Sequence, residues 1–172
     1  MRQDIADWLL PGLKGRDLLF VTLTSRYKIK KDELSLAISK LVHRVKRKVF
    51  GRKGEGTHLA TVVILEPSYQ HGVHAHLILE NPYSVTTSKK FHSTVPIAKL
   101  ITQEWAALGL GGSSAAQDTQ AVYDLDGAVA YLSKTIGGTR VLDRLDINNF
   151  CLPNPSTPPI QTAMSRPDRD NQ

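Results

Sequence analysis

The chain has 172 residues, 41% of them hydrophobic, enough for one compact domain with a real core but cramped for two. Its 22 Lys and Arg against 16 Asp and Glu leave a net charge of +6, which favours a polyanionic partner, nucleic acid foremost, because neutralising phosphates releases counterions. The single cysteine, Cys151, excludes an internal disulfide and a thiolate zinc cluster, and no apolar run reaches membrane-spanning length, so no membrane partner is expected.

Met1 to Leu13 is polar and mixed in charge, without the basic start and long apolar stretch of a secretory signal. A cytoplasmic location is therefore expected. Leu18 to Thr24 (LLFVTLT) is a β-rich run. After it, Lys30 to Phe50 spaces Leu34, Ala37, Ile38, Leu41, Val45 and Val49 as one face of a long amphipathic helix. Gly51, Gly54 and Gly56 break that helix. Thr57 to Leu65 and Val73 to Leu79 are two strand-like runs joined through Pro67 and Gly72, which predicts a hairpin. Pro96 marks a helix start, and Ile97 to Leu108 carries Leu100, Ile101, Trp105 and Leu108 on one side before Gly109, Gly111 and Gly112. A short strand is predicted around Thr119 to Tyr123. Asp126 is then read as the cap of a last helix running to Ile136 and ended by Gly137-Gly138.

The predicted order β-α-β-β-α-β-α is that of an α+β fold with a split βαβ antiparallel sheet, ferredoxin-like or RRM-like in outline, its helices on one face and its other face free for chemistry. Residues 1–152 make up the expected domain. From Pro153 onward five of the nine prolines fall in twenty mostly polar residues, a composition that cannot bury enough surface to fold alone, so 153–172 is read as a tail or linker.

Alternation puts His74 and His76 on one face of their strand, with Ala75, Leu77 and Leu79 on the other. A hairpin centred near Gln70 pairs Glu66 with His74 and brings the carboxylate to the same face. Glu66, His74 and His76 would form a mixed N/O site suited to Mg²⁺ or Mn²⁺, with open positions for phosphate oxygens and water. His71 is the nearest rival ligand but lies in the turn, and His43, His58 and His92 look like surface or turn residues. The plain alternative is a polar strand face that binds nothing.

On the last helix Leu125, Val129, Leu132 and Ile136 share one stripe, whereas Tyr131 and Lys134 lie on nearly the opposite side. A phenol of pKa about 10 is a poor nucleophile unless a cation or metal stabilises its oxyanion or the phosphate it attacks. Lys134 could do either. Tyr123 is the fallback nucleophile. Arg44, Lys46, Arg47, Lys48, Arg52 and Lys53 put six cations within ten residues at the end of the first long helix, read as sequence-independent contacts to a phosphate backbone. The 6% aromatic content argues against an RNA-recognition sheet that stacks several bases.

Taken together, these residues resemble the HUH endonucleases, named for paired histidines flanking a hydrophobic residue, in their single-tyrosine replication-initiator (Rep) branch. Phe20-Val21-Thr22-Leu23-Thr24 looks like the first Rep motif, His74-Ala75-His76 is similar to the metal motif, and Tyr131-x-x-Lys134 looks like the nucleophile motif, in matching order over roughly residues 18 to 138. The resemblance implies a metal-dependent nickase acting on single-stranded DNA at an origin hairpin and initiating rolling-circle replication. Tyr131 would attack a phosphodiester, keep the 5′-phosphate as a phosphotyrosine and release a 3′-OH; a later 3′-OH would reverse the step and rejoin strands. Glu66, His74 and His76 would hold the ion, and Lys134 would assist charge or metal positioning.

Several features qualify the match. No Walker-type motif is present in these residues, so the helicase domain of many viral Reps is either absent or beyond the Pro-rich tail; unwinding would come from elsewhere, with a host helicase and polymerase as candidate partners. One tyrosine on the helix favours a single-tyrosine enzyme. Single-tyrosine transposases share the fold but commonly carry Gln where this chain has Lys134, and relaxases usually place the tyrosine before the histidines. A viral Rep of a eukaryote would act in the nucleus. A transposase and a non-catalytic nucleic-acid-binding module stand as the alternatives.

Overall fold

The strand runs Leu18–Leu23 (β1), Thr61–Ser68 (β2) and Gly72–Glu80 (β3) are almost continuously apolar, the pattern of strands buried on both faces. The computed structural model describes residues 2–85, 95–111, 117–135 and 141–153. It adds Asp118–Ala121 (β4) to complete a four-stranded sheet of order β2-β3-β1-β4, with every neighbouring pair antiparallel. β1 and β2 thus run parallel with β3 between them, a split βαβ arrangement in an α+β protein. The helices are Arg2–Leu13 (α1), Lys31–Phe50 (α2), Ile97–Ala107 (α3), Leu125–Thr135 (α4) and the single turn Val141–Arg144 (α5). None among the described residues is long and apolar enough to cross a membrane.

Alternation sorts the sheet residues into two cores. Leu19, Val21, Leu23, Val63, Leu65, Ala75, Leu77 and Leu79 pack against α2 and α3, whose Leu34, Ile38, Leu41, Val45, Ile101 and Trp105 are buried with them. Leu18, Val62, Ile64 and Ile78 face the other way and pack against Leu9 and Leu13 of α1 and Val129 and Leu132 of α4. The expectation of helices on one face and a free second face is therefore corrected: α1 and α4 cover most of the second face. The cause is α1, whose Ile5, Leu9 and Leu13 recur at four-residue spacing but are diluted by charge and interrupted by Pro11. At the end of the second face that carries Thr22, Glu66, His74 and His76, the strand residues turn polar.

Other boundaries differ locally. The first strand of the hairpin begins at Thr61 rather than Thr57, because the Ala60 N–H is taken by the buried Glu80 carboxylate at 2.9 Å, which also pairs with Arg16 at 2.8 Å. α4 is capped by Asp124 rather than Asp126: Asp124 Oδ1 accepts the Gly127 N–H at 2.9 Å, and Asp126 falls in the first turn. Tyr123 lies beyond β4, almost fully exposed. Ile136 and Gly137-Gly138 lie outside the described residues, as do His92, Gly112 and the tail from residue 154. Leu145, Phe150 and Leu152 pack against the second core. The Thr61 N–H donates to the Cys151 carbonyl at 2.7 Å and the Cys151 N–H returns the bond at 2.8 Å, so the C-terminal segment covers the open edge of β2.

The hairpin turn Tyr69-Gln70-His71 is closed by Gly72 at φ +73, and a Cβ there would lie 2.6 Å from the Ile29 carbonyl oxygen. Both left-handed φ and backbone crowding require glycine. Gly72→Ala is expected to lower the unfolding free energy by about 1–3 kcal/mol, read by urea denaturation. A loss below about 0.5 kcal/mol, the range of surface changes, would show that the turn tolerates a side chain.

Candidate metal centre and the tyrosine beside it

The hairpin register pairs Glu66 with His74 and, one strand over, Thr22 with His76. Residues opposite one another project to the same face, so Glu66, His74, His76 and Thr22 converge at this end of the sheet. His74 Nε2 lies 3.0 Å from Glu66 Oε2, His76 Nε2 lies 3.4 Å from the same oxygen, and the two Nε2 atoms are 3.2 Å apart. Three donors bound at about 2.1 Å in adjacent positions around one ion would be about 3 Å apart, so the trio could hold a metal ion.

The protonation chemistry suits that use. Burial pushes the His76 imidazole below its ordinary pKa, Glu66 draws it back up, and His74 lowers it again. Thr22 Oγ1 is 3.1 Å from His76 Nδ1. In the tautomer that leaves Nε2 its lone pair, Nδ1–H donates to the threonine hydroxyl and the ring orientation is set from behind. His71 is not among the residues whose ligand atoms converge here; it lies in the turn and its Nδ1–H donates to the Ser25 carbonyl at 2.7 Å.

Tyr131 meets this cluster. Its half-exposed ring stands edge-on to His76 at 5.6 Å between centroids, and edge-on to Phe20 at 5.7 Å. Phe20 also lies against His76 at 5.7 Å, so it wedges the two rings into position. The helical stripe supports this placement: Val129 and Leu132 are fully buried while Tyr131 emerges on the other side of α4. Lys134 continues the same helix, and its side chain lies outside the described part of the structure.

The basic stretch sits elsewhere. α2 starts beside the hairpin tip, where the Ile29 N–H donates to the His71 carbonyl at 3.1 Å, and runs to the opposite end of the sheet on the opposite face. Arg44 and Lys48 turn to the buried Glu104 at 2.6 and 3.9 Å. Lys46 lines a separate 270 Å³ cavity with His43, His58 and Cys151, where burial pushes its pKa down. Arg47 and Arg52 are exposed, and the Lys53 side chain lies outside the described residues. Arg44, Lys46, Arg47, Lys48 and Arg52 thus spread around α2 and its end, because a helix distributes neighbours around its axis.

Four contributors escaped the sequence reading. Thr22 and Phe20 belong to a motif that the strand pattern marked, but only pairing shows them behind and beside His76. Asp118 and Gln120 on β4 pair with Thr22 and Phe20 and share the face of the histidines. Alternation extended across a third strand would have found them.

A scan against protein-family models and searches of curated proteins and of solved structures gave no match to this chain.

The cluster predicts one Mn²⁺ per chain by isothermal titration calorimetry, with binding lost in Glu66→Ala, His74→Ala or His76→Ala. Thr22→Val should weaken it about 10- to 100-fold, the usual cost of losing a partner behind a ligand, and His71→Ala should leave the stoichiometry unchanged. Equal binding by wild type and the two histidine variants at positions 74 and 76 would rule the cluster out as the metal centre.

Proposed function

We propose that this chain is a metal-dependent nickase and strand transferase for single-stranded DNA, of the kind implied by its resemblance to single-tyrosine replication initiators. The observation that carries the reading is the approach of the Tyr131 ring to within 5.6 Å of His76, against a trio that could hold a divalent ion. A stabilised phenol beside a cation site is a pairing suited to phosphoryl transfer.

The ion expected on this reading is Mg²⁺ or Mn²⁺, to which Glu66 would supply the hard oxygen donor and His74 and His76 the nitrogens. Such an ion, when bound, would polarise a non-bridging oxygen of the scissile phosphate. Glu66, His74 and His76 would fix that phosphate relative to the sheet, with Thr22 holding the His76 ring in register. Tyr131 gives up its phenolic proton and its oxygen forms a bond to phosphorus. The bond from phosphorus to the 3′ oxygen breaks, and that oxygen takes up a proton as the free 3′-OH. The 5′-phosphate stays on Tyr131 as a diester until an incoming 3′-OH reverses the exchange. No water is consumed, so the phosphodiester energy is retained for rejoining. Lys134, three residues on along the helix, would stabilise the developing charge.

The physiological DNA on this reading is a replication origin presenting a hairpin, with helicase and polymerase supplied by the host.

Incubation of the chain with Mn²⁺ and a labelled single-stranded oligonucleotide bearing a hairpin origin should give a covalent protein–DNA band that survives denaturing electrophoresis. Tyr131→Phe should abolish the band and Tyr123→Phe should retain it. Persistence of the adduct in Tyr131→Phe would remove the central assignment.

A further inference from the structure

At the tip of the β2–β3 hairpin, Tyr69 is 94% exposed, which is unusual for a residue with so much apolar area. Lys28 places its Nζ 5.4 Å from the centre of that ring. Beside it, Tyr27 is half-exposed with the Arg26 guanidinium 6.0 Å from its centre. Two exposed aromatic rings, each attended by a cation, thus stand on the loop between β1 and α2 and on the turn that it touches, linked by Lys28, which follows Tyr27 in sequence and lies over the Tyr69 ring.

The loop is held at several points. The Trp105 indole N–H donates to the Thr24 carbonyl at 2.9 Å, His71 donates to the Ser25 carbonyl at 2.7 Å, and the Arg26 N–H donates to the Leu110 carbonyl at 3.0 Å. The Ile29 N–H donates to the His71 carbonyl at 3.1 Å, and Ser25 and Ile29 are buried. The backbone under the tyrosines is therefore fixed from both ends, and their exposure is built into the fold. A cleft of 330 Å³ walled by Tyr27, Leu36, Leu108 and Leu110 adjoins them.

We propose that Tyr69 and Tyr27 form a stacking platform for unpaired bases of single-stranded DNA, with Lys28 and Arg26 taking the adjoining phosphates. The occupant follows from complementarity. Exposed ring faces bind the π-faces of unstacked bases, which a duplex does not offer, and interleaved cations match a polyanion. Tyr69 lies in the turn just past β2, three residues after Glu66, so at most about 10 Å of chain separates the two, and a strand stacked here would reach the candidate metal centre by passing round the hairpin tip, since the histidines face the side of the sheet away from α2. The platform deepens the nickase reading and rests on it for its biological purpose, but its binding is separable from cleavage.

The test is fluorescence anisotropy of a labelled oligothymidylate with the full chain in EDTA, where neither metal nor strand cutting contributes. Tyr69→Ala should weaken binding about tenfold, and the Tyr27→Ala, Tyr69→Ala pair more; Tyr69→Phe should keep it. Lys28→Ala should reduce the slope of log affinity against log salt by about one. Unchanged affinity in the double tyrosine variant, or a duplex bound as tightly and with the same tyrosine dependence, would overturn the platform. If the platform variants bind weakly while no tyrosine adduct ever forms, the platform stands and the nickase reading fails. If adduct forms normally while oligothymidylate binding ignores both tyrosines, the nickase reading stands and the platform fails.

Discussion

Everything at the candidate centre depends on the register of the β2–β3 hairpin. With Glu66 opposite His74, the carboxylate and both imidazoles point to one face, and Leu65, Ala75 and Leu77 point to the core under α2 and α3. A slip of one residue would invert that assignment, burying charged and polar groups and exposing the apolar set. Each large apolar side chain so exposed would cost about 1.5–3 kcal/mol. The turn resists the slip as well, because only Gly72 accepts the left-handed conformation under the Ile29 carbonyl. The candidate metal ligands are thus placed by the hydrophobic demand of the opposite face.

The second face shows the complementary device. α1 and α4 pack on it over Leu18, Val62, Ile64 and Ile78, and beyond these the strand residues turn polar. At that boundary Tyr131 leaves α4 on the side away from Val129 and Leu132, with Phe20 as the last apolar side chain under it. The same helix that seals the core therefore delivers the phenol to the edge of the site. A half-exposed ring at a core boundary is reachable by a polymer substrate while its orientation is still set by packing.

Much of this was legible in the residues because strand alternation has a period of two and little room for error. The alternation of His74 and His76 against Ala75 and Leu77, the pairing of Glu66 and the outward position of Tyr131 all follow from periodicity. What escaped was information carried by tertiary placement. α1 has a sparse stripe, and its helical state comes from packing of Leu9 and Leu13 on α4 and the sheet rather than from strong local preference. The basic run looked like one surface in sequence, yet Arg44 and Lys48 turn to Glu104 while Lys46 faces a cavity on another side. Asp124 took the cap from Asp126 because α4 begins at Leu125, two residues earlier than a cap at Asp126 requires. The loop around Tyr27 carries no periodicity at all, and its order comes from Trp105, His71 and Leu110, distant in sequence.

The central claim is that one divalent ion and the Tyr131 hydroxyl share a single point on the sheet. Crystals of the full chain soaked in Mn²⁺ and measured at an energy where manganese scatters anomalously would locate the ion directly. The account predicts one strong anomalous peak about 2.0–2.3 Å from Glu66 Oε2, His74 Nε2 and His76 Nε2, with the Tyr131 ring beside it. A peak at another cluster, or none at these three atoms with the ion in excess, would contradict it.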